Sequence, residues 1–295
     1  MYGLVRTGYL SQEYLDTFTR LGEVLSDPQT GSCLIKRKIP NTDYFDYISP
    51  YPFSFFPHRP KIDDRAISSL IITPPIDPIK TSEYIRYGQP YKDHYIVDLQ
   101  DSSISKYSEQ HKRNVNKAKG EIEINVGPPS NLQWQCYQEL MKRHSTPEDY
   151  ITNYDLETFK KLFSVPGSLC FNNFLLRSYM VGMSRHFLGF GLFYIQNQDV
   201  YFHIGASTLE GYENGNSYLI INHAITVFKH LGYRYLILGA EHTSGNNGGL
   251  SRFKSGWGSF IKTNKIIKHI HNQEIYDMLS KNVNKESKYF PLYRS

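Results

Sequence analysis

The chain has 295 residues, 40% of them hydrophobic and 21% charged, with a formal net charge of +5. That length carries one large or two modest domains, and the balance is that of an ordinary globular protein. The charge suits anionic ligands such as phosphates, yet it is too small and too evenly spread for a DNA-binding domain.

Residues 11–24 put Tyr14, Leu15, Phe18 and Leu21 at helical spacing behind Ser11, which suits an N-cap. Asp27-Pro28 and Gly31-Ser32 close that helix, and strands are expected over Cys33–Ile39 and Asp43–Ile48. Prolines at 50, 52 and 57 exclude a regular element next, and the aromatic residues among them suit a pocket wall or a plug over the core. Ala66–Thr73 and His94–Leu99 read as strands, and Ser102–Lys119 as a helix capped at Ser102 or Ser103. Its second half carries His111, Lys112, Arg113, Lys117 and Lys119. Cations complement a helix C-terminus, and Arg113 and Lys117, four apart, also offer one face to phosphates. Gly120 ends this helix, Glu121–Val126 is a strand, and Gly127-Pro128-Pro129-Ser130 marks the expected boundary between halves 1–128 and 129–295.

Helices are expected over Asn131–Arg143 and Leu156–Phe163. Strands follow over Ser168–Leu176, Tyr179–Met183, Phe190–Gln196 and Val200–Gly205, then a helix over 216–230 and a strand over Tyr233–Leu238. This order is α+β. A last strand over Ile261–His269 and a helix over Gln273–Leu279 precede a polar tail, 281–295, expected at the surface. Cys33, Cys136 and Cys170 are far apart and odd in number, so neither a disulfide framework nor a metal site is expected. With no apolar leader and no long apolar run, the expectation is a cytoplasmic protein without a transmembrane segment. The 24 tyrosines suit sugar or nucleotide pockets and equally the packing of a β-rich core.

The stretch Gly205–Gly258 holds the strongest functional pattern. A Gly/Asn-rich loop enters an amphipathic helix, whose unpaired first N–H groups suit an anion. The short strand after it ends in a glycine-rich loop carrying Arg252-Phe253-Lys254. Ligands commonly bind beyond such strand ends, which places a group-transfer site between the strand end and the Lys254 loop.

Four segments resemble the Fem-type branch of the GNAT-like acyltransferases. They are Asp46-Tyr47-Ile48-Ser49-Pro50-Tyr51, the basic helix His111–Ala118, the turn Asn214–Leu219, and Gly249–Gly258 with its Phe253-Lys254 pair. The resemblance spans roughly residues 42 to 260. It implies two GNAT-like halves, mixed sheets flanked by helices, facing each other across a cleft. It further implies transfer of an acyl or aminoacyl group, from acyl-CoA or aminoacyl-tRNA as co-substrate, to an amine. The acceptor would be a nucleotide-linked or lipid-linked sugar or peptide precursor of polysaccharide or peptidoglycan; no tightly bound cofactor, metal or DNA is implied. The sequence departs from the family in two places. It lacks a long paired-helix insertion, and Gly211–Ser217 does not give a clean acyl-CoA signature.

Acyl transfer to an amine passes through an oxyanion, which a fixed cation stabilises. Lys254 takes that role in this reading, with Phe253 walling the site. Glu241 and His203 are candidate bases for the amine proton, as are His242 and Tyr201, unless a bound phosphate or the substrate takes it. Arg113, Lys117 and Arg252 suit phosphate contacts and Tyr51 a ring; with Tyr201 and His242 they form the expected substrate-binding set. Gly215, Asn216 and Ser217 are the expected acyl-donor contacts. Two other readings stand beside this one: a catalytically silent member of the fold that binds a nucleotide-sugar or partner protein, and an RNA-binding module using the 111–119 cations.

Overall fold

Alternation of apolar and polar residues marks the strands of this chain, and the computed structural model describes residues 6–26, 33–50, 52, 62–76, 88–118, 122–144, 154–179, 182–240, 248–283, 287 and 289–295. Helix α1 (Gln12–Asp16) starts where expected, with Ser11 Oγ accepting from Tyr14 N at 3.2 Å. It stops far short of residue 24. Glu23–Ser26 is instead strand β1, paired antiparallel from Glu23↔Lys36 to Ser26↔Cys33, so cross-strand pairing overrides the helical spacing.

By internal packing the chain divides into two compact units, Met1–Tyr14 with His94–Ile261 and Leu15–Asp93 with Lys262–Ser295. In the second, β1, β2 (Cys33–Lys38), β3 (Phe45–Ile48) and β4 (Ala66–Ile72) lie side by side in that order. The β3–β4 pair is parallel. Beyond β4 lies β11 (Phe260–Ile270), antiparallel from Ile266↔Ile72 to Ile270↔Ser68.

The other unit holds β5 (Gln89–Asp98) from His94 onward, α2 (Glu109–Ala118), β6 (Ile122–Val126), α3 (Asn131–His144) and α4 (Leu156–Leu162). After them come β7 (Ser168–Tyr179), β8 (Gly182–Gln196), β9 (Asp199–Ser207), α5 (Leu209–Glu213), α6 (Asn216–His230), β10 (Tyr235–Ala240) and α7 (Gly248–Ser255). The strand order is β5-β10-β9-β8-β7-β6, antiparallel except for the parallel pair β9–β10. The core on one face joins Tyr95, Val97, Phe193, Val200, Leu236 and Leu238 of the strands to Val115 of α2, the α6 row Ile220, Ile221, Ala224, Ile225 and Phe228, and Trp257. That α6 row has the three-four spacing of an amphipathic helix. The fold is thus α+β, with mixed strand pairing and flanking helices.

Three further expectations are corrected. The helix expected from Ser102 begins only at Glu109: Ser102 Oγ binds back to Leu99 O, a 3₁₀ turn spans Ile104–Lys106, and Ser108 does the capping. The two short strands expected between 168 and 183 and the third from 190 are one long hairpin, β7–β8, whose register shifts once near Asn173/Phe174. Among the described residues, the end of the tail, 289–295, is not a free surface ribbon. Phe290, Leu292 and Tyr293 pack with Ile39, Ile67 and Tyr276, the last on α8 (Gln273–Leu279). Tyr293 and Arg294 both reach Asp46, a carboxylate with 0% exposure that Arg37 holds at 2.7 Å. Apolar rings and the buried Asp46–Arg37 pair outweigh the polar composition that suggested exposure.

Candidate active site

Lys254 lies on α7, a helix where the sequence suggested a loop. It is 7% exposed and is the one buried lysine among the described residues. Lysine is almost never buried without a partner. Here Nζ donates to the carbonyl of Ala240, the last residue of β10, at 2.6 Å. A cation is thereby fixed at the end of the strand beside which ligands of open α/β sheets bind. Beside it, β9 and β10 pair only from Tyr235↔Asp199 to Ile237↔Tyr201, although β9 runs on to Ser207 and β10 to Ala240.

Hydrogen bonds hold the helix carrying Lys254. Tyr95 OH and Ser251 Oγ are 2.6 Å apart, and Ser259 Oγ donates to Lys254 O at 3.0 Å. Ser108 N donates to Gly256 O at 2.8 Å. The ring of His111, 2% exposed, lies between α2 and α7, with Nδ1 2.7 Å from Ser108 Oγ and Nε2 2.7 Å from Phe253 O. A carbonyl oxygen only accepts, so Nε2 carries the proton; in the neutral ring Nδ1 accepts from the serine hydroxyl. Burial holds this histidine's pKa below its ordinary value, with the Phe253 hydrogen bond opposing the shift. Gly256 makes the approach possible: a Cβ there would sit 2.0–2.6 Å from His111 ring atoms. Phe253, Tyr218 and Trp257 surround the ring edge-on or tilted at centroid distances of 4.6–5.8 Å.

The expected donor contacts come at the start of α6. Gly215 takes the left-handed conformation, φ 71°, as its N-cap, a geometry that glycine adopts without a Cβ penalty. Asn216 and Ser217 turn their side chains inward, Asn216 Nδ2 donating to Ser207 Oγ at 2.8 Å and Ser217 Oγ lying 3.2 Å from the same oxygen. A Cβ on Gly215 would lie 3.7 Å from Asn114 O and 3.8 Å from Ala118 Cβ, so the last turns of α2 meet this helix start. Arg113 and Lys117 are exposed on those turns, while His111, Val115 and Ala118 form the buried stripe. Arg252 is exposed on α7, its Nε bonded to Gly248 O at 2.7 Å.

The structure separates Tyr201 and His203 from this group. Along β9, Val200 and Phe202 join the core that contains Trp257, so Tyr201 and His203 point to the opposite face. There His203 Nδ1 meets Tyr9 OH at 3.1 Å, and its ring stacks on Tyr194 at 4.5 Å. Its Nε2 is enclosed without a hydrogen-bond partner, and burial pushes its pKa down to about 3. Tyr201 packs edge-on to Tyr9. Tyr51, Glu241 and His242 lie outside the described residues. The three cysteines are buried, and burial pushes each thiol up to about 12, which rules them out as ready nucleophiles. A separate cavity of about 260 Å³ lies between the start of α3 and α4, lined by Ser130, Asn131, Phe159, Lys160 and Lys161 among others.

Residue-by-residue reading missed the pairing of Ser108 and His111 with the backbone of α7. His111 stood among the cations of the basic helix. Ser-x-x-His at a helix start and the Gly-Trp-Gly that follows Lys254 are the signals that could have marked it.

The mixed sheet, the helix between the parallel strands and the Lys254 helix beyond them make up a GNAT-like fold of the Fem type. The chain is similar to the crystal structure of FemX, with a TM-score of 0.67 at 12% identity, over 92% of this chain and 94% of that one. It is also similar to L-PGS from Bacillus licheniformis (TM-score 0.55, 12% identity, 88% and 87% covered). A third match is the C-terminal domain of a putative lysylphosphatidylglycerol synthetase from Agrobacterium fabrum (0.56, 12%, 89% and 88%). No protein-family model and no curated protein matches the sequence. Among the described residues no helix is long and apolar enough to cross a membrane, and no cluster of His, Cys, Asp or Glu is arranged to hold a metal.

Proposed function

We propose that this chain is an N-acyltransferase that moves an acyl or aminoacyl group from acyl-CoA or aminoacyl-tRNA to an amine of a sugar or cell-envelope precursor. The observation that carries this reading is Lys254, a buried ammonium anchored to Ala240 O at the end of β10. Attack of the amine on the thioester or ester carbonyl forms a tetrahedral intermediate with a negative oxygen, whose collapse breaks the C–S or C–O bond and releases CoA or the tRNA hydroxyl as the amide forms. An ammonium already held in place stabilises that charge without reorganising; loss of one such donor costs about 100-fold or more in rate. Phe253 would wall the reacting carbon. The start of α6, with Arg113 and Lys117 on the adjoining turns of α2, would receive the phosphates of the donor or acceptor. His203 faces away and is held neutral, so Glu241 or His242, or a group on the substrate, takes the amine proton. The fold shared with FemX and the lysylphosphatidylglycerol synthetase domain supports the cell-envelope acceptor class.

The test has two stages. Thermal unfolding is first followed with acetyl-CoA, CoA and charged tRNA. A ligand at 100 times its Kd adds about 2.7 kcal/mol, a shift of roughly 2–4 °C per kcal/mol for a chain of this size. The donor that shifts the protein is then used in a transfer assay with amino-sugar and peptide precursors. Lys254→Ala is expected to lower kcat about 100-fold with the fold intact. An undiminished rate would remove the oxyanion role; donor binding without transfer in the unaltered protein would favour the silent-binder reading.

A further inference from the structure

We propose that His111 is a positioning residue for Lys254, acting as a neutral Nε2–H donor to the Phe253 carbonyl. This inference rests on the reading of Lys254 as the oxyanion donor. The Phe253 carbonyl belongs to the same planar peptide unit as the Lys254 nitrogen. Holding that oxygen at 2.7 Å sets the plane that enters Lys254. The plane that leaves it is held too, because Ser259 Oγ donates to Lys254 O at 3.0 Å. With both flanking planes fixed, the Cα–Cβ direction of Lys254 is fixed, and the side chain reaches Ala240 O from a rigid root.

The alternative is that His111 merely fills space between α2 and α7. Packing alone does not call for a ring with both nitrogens engaged at 2.7 Å at a site 2% exposed. An apolar residue would fill that volume without the desolvation cost of two polar atoms. The bonds also supply what α7 lacks, since the last carbonyls of a helix have no partner within it. Ser108 orients the imidazole, its hydroxyl donating to Nδ1 and so keeping the proton on Nε2. Gly256 keeps the ring's place open.

The test reads the chemistry of Lys254 rather than turnover, so it is separable from the fate of the proposed activity. The intact protein is labelled competitively with acetic anhydride between about pH 6 and pH 10. Mass spectrometry gives each lysine's rate, with exposed Lys262 as internal standard. His111→Phe keeps a ring but loses both hydrogen bonds, and Lys254 labelling is expected to rise about five- to tenfold, the scale of one lost net hydrogen bond. His111→Gln offers an amide N–H to the same carbonyl and is expected to return labelling to within about twofold of the unaltered protein. Equal labelling in His111→Phe and the unaltered protein, both folded by circular dichroism, overturns the proposal. So does a rise in His111→Gln as large as in His111→Phe, because filling and donation would then not be distinguished by the site. If His111→Phe does not fold, Ser108→Ala removes the orienting bond together with the α2 cap on His111 N, with folding checked by circular dichroism; a rise of about threefold is expected, and an unchanged rate overturns the proposal. Should Lys254→Ala leave acyl transfer intact, the functional reading fails while these labelling outcomes still decide whether His111 positions the lysine.

Discussion

Replacing His203 with phenylalanine is expected to change how the stability of this protein depends on pH. In the folded chain burial holds the imidazole's pKa down to about 3, against an ordinary value of 6.5. Below about pH 6.5 the unfolded chain therefore binds a proton that the folded chain refuses, and stability falls as pH falls. His203's contribution is fully present above the unfolded pKa and is lost progressively toward the folded one. At 1.36 kcal/mol per pH unit of differential binding, the drop from pH 7 to pH 5 amounts to at most about 2 kcal/mol. His203→Phe keeps an aromatic ring on Tyr194 but cannot titrate. Its loss of the Tyr9 hydrogen bond lowers stability by a pH-independent offset of about 1 kcal/mol. Urea denaturation followed by circular dichroism, on both proteins at pH 7 and pH 5, isolates the effect, because contributions from every other titrating group cancel in the difference. The difference between the two proteins should move by up to about 2 kcal/mol in favour of the variant at the lower pH, enough to reverse the offset seen at pH 7. A gap that stays constant between the two pH values would mean that His203 titrates normally, and the argument from its enclosed Nε2 would fall. That outcome would also return His203 to the set of possible bases.

Asp46→Ala removes the carboxylate that Arg37, Tyr293 and Arg294 share. Leaving Arg37 buried without this counter-ion should cost about 3–5 kcal/mol in a denaturant titration, and a loss under about 1 kcal/mol would show that the cluster is not the tail's anchor. The three cysteines should resist a thiol reagent such as dithionitrobenzoate in the native protein at neutral pH and react promptly once unfolded, since buried thiols with pKa values near 12 carry almost no thiolate. Fast reaction of any one of them in the native state would contradict its placement.

The candidate site combines groups whose roles are set by different physics. Lys254 is informative because burying an ammonium is costly and the fold nevertheless does so at a strand end. At the start of α6, Asn216 and Ser217 spend their side chains on Ser207, and Asn216 is fully buried there. Arg113 and Lys117 stay solvated on α2, so their charge costs little in stability.

Local patterns along the chain were enough to reveal the order of most elements, the α+β class, the resemblance to the Fem-type fold and the Phe253-Lys254 pair. These follow from periodicity, turn residues and short motifs, all local along the chain. The same patterns misjudged the end of α1, the start of α2, the helical state of residues 248–255 and the tail. In the clearest of these, a long-range partner decided the outcome: Lys36 opposite Glu23, and Asp46 opposite Arg294. Only the tertiary structure turned Tyr201 and His203 to the sheet face away from Trp257, because facing depends on which helices cover which side. Only it set the His111 ring against the carbonyl before Lys254, across 142 residues of chain. A hydrogen bond of that span leaves no period or spacing in the sequence; it exists because packing α2 against α7 brings a donor to a carbonyl that its own helix leaves without a partner.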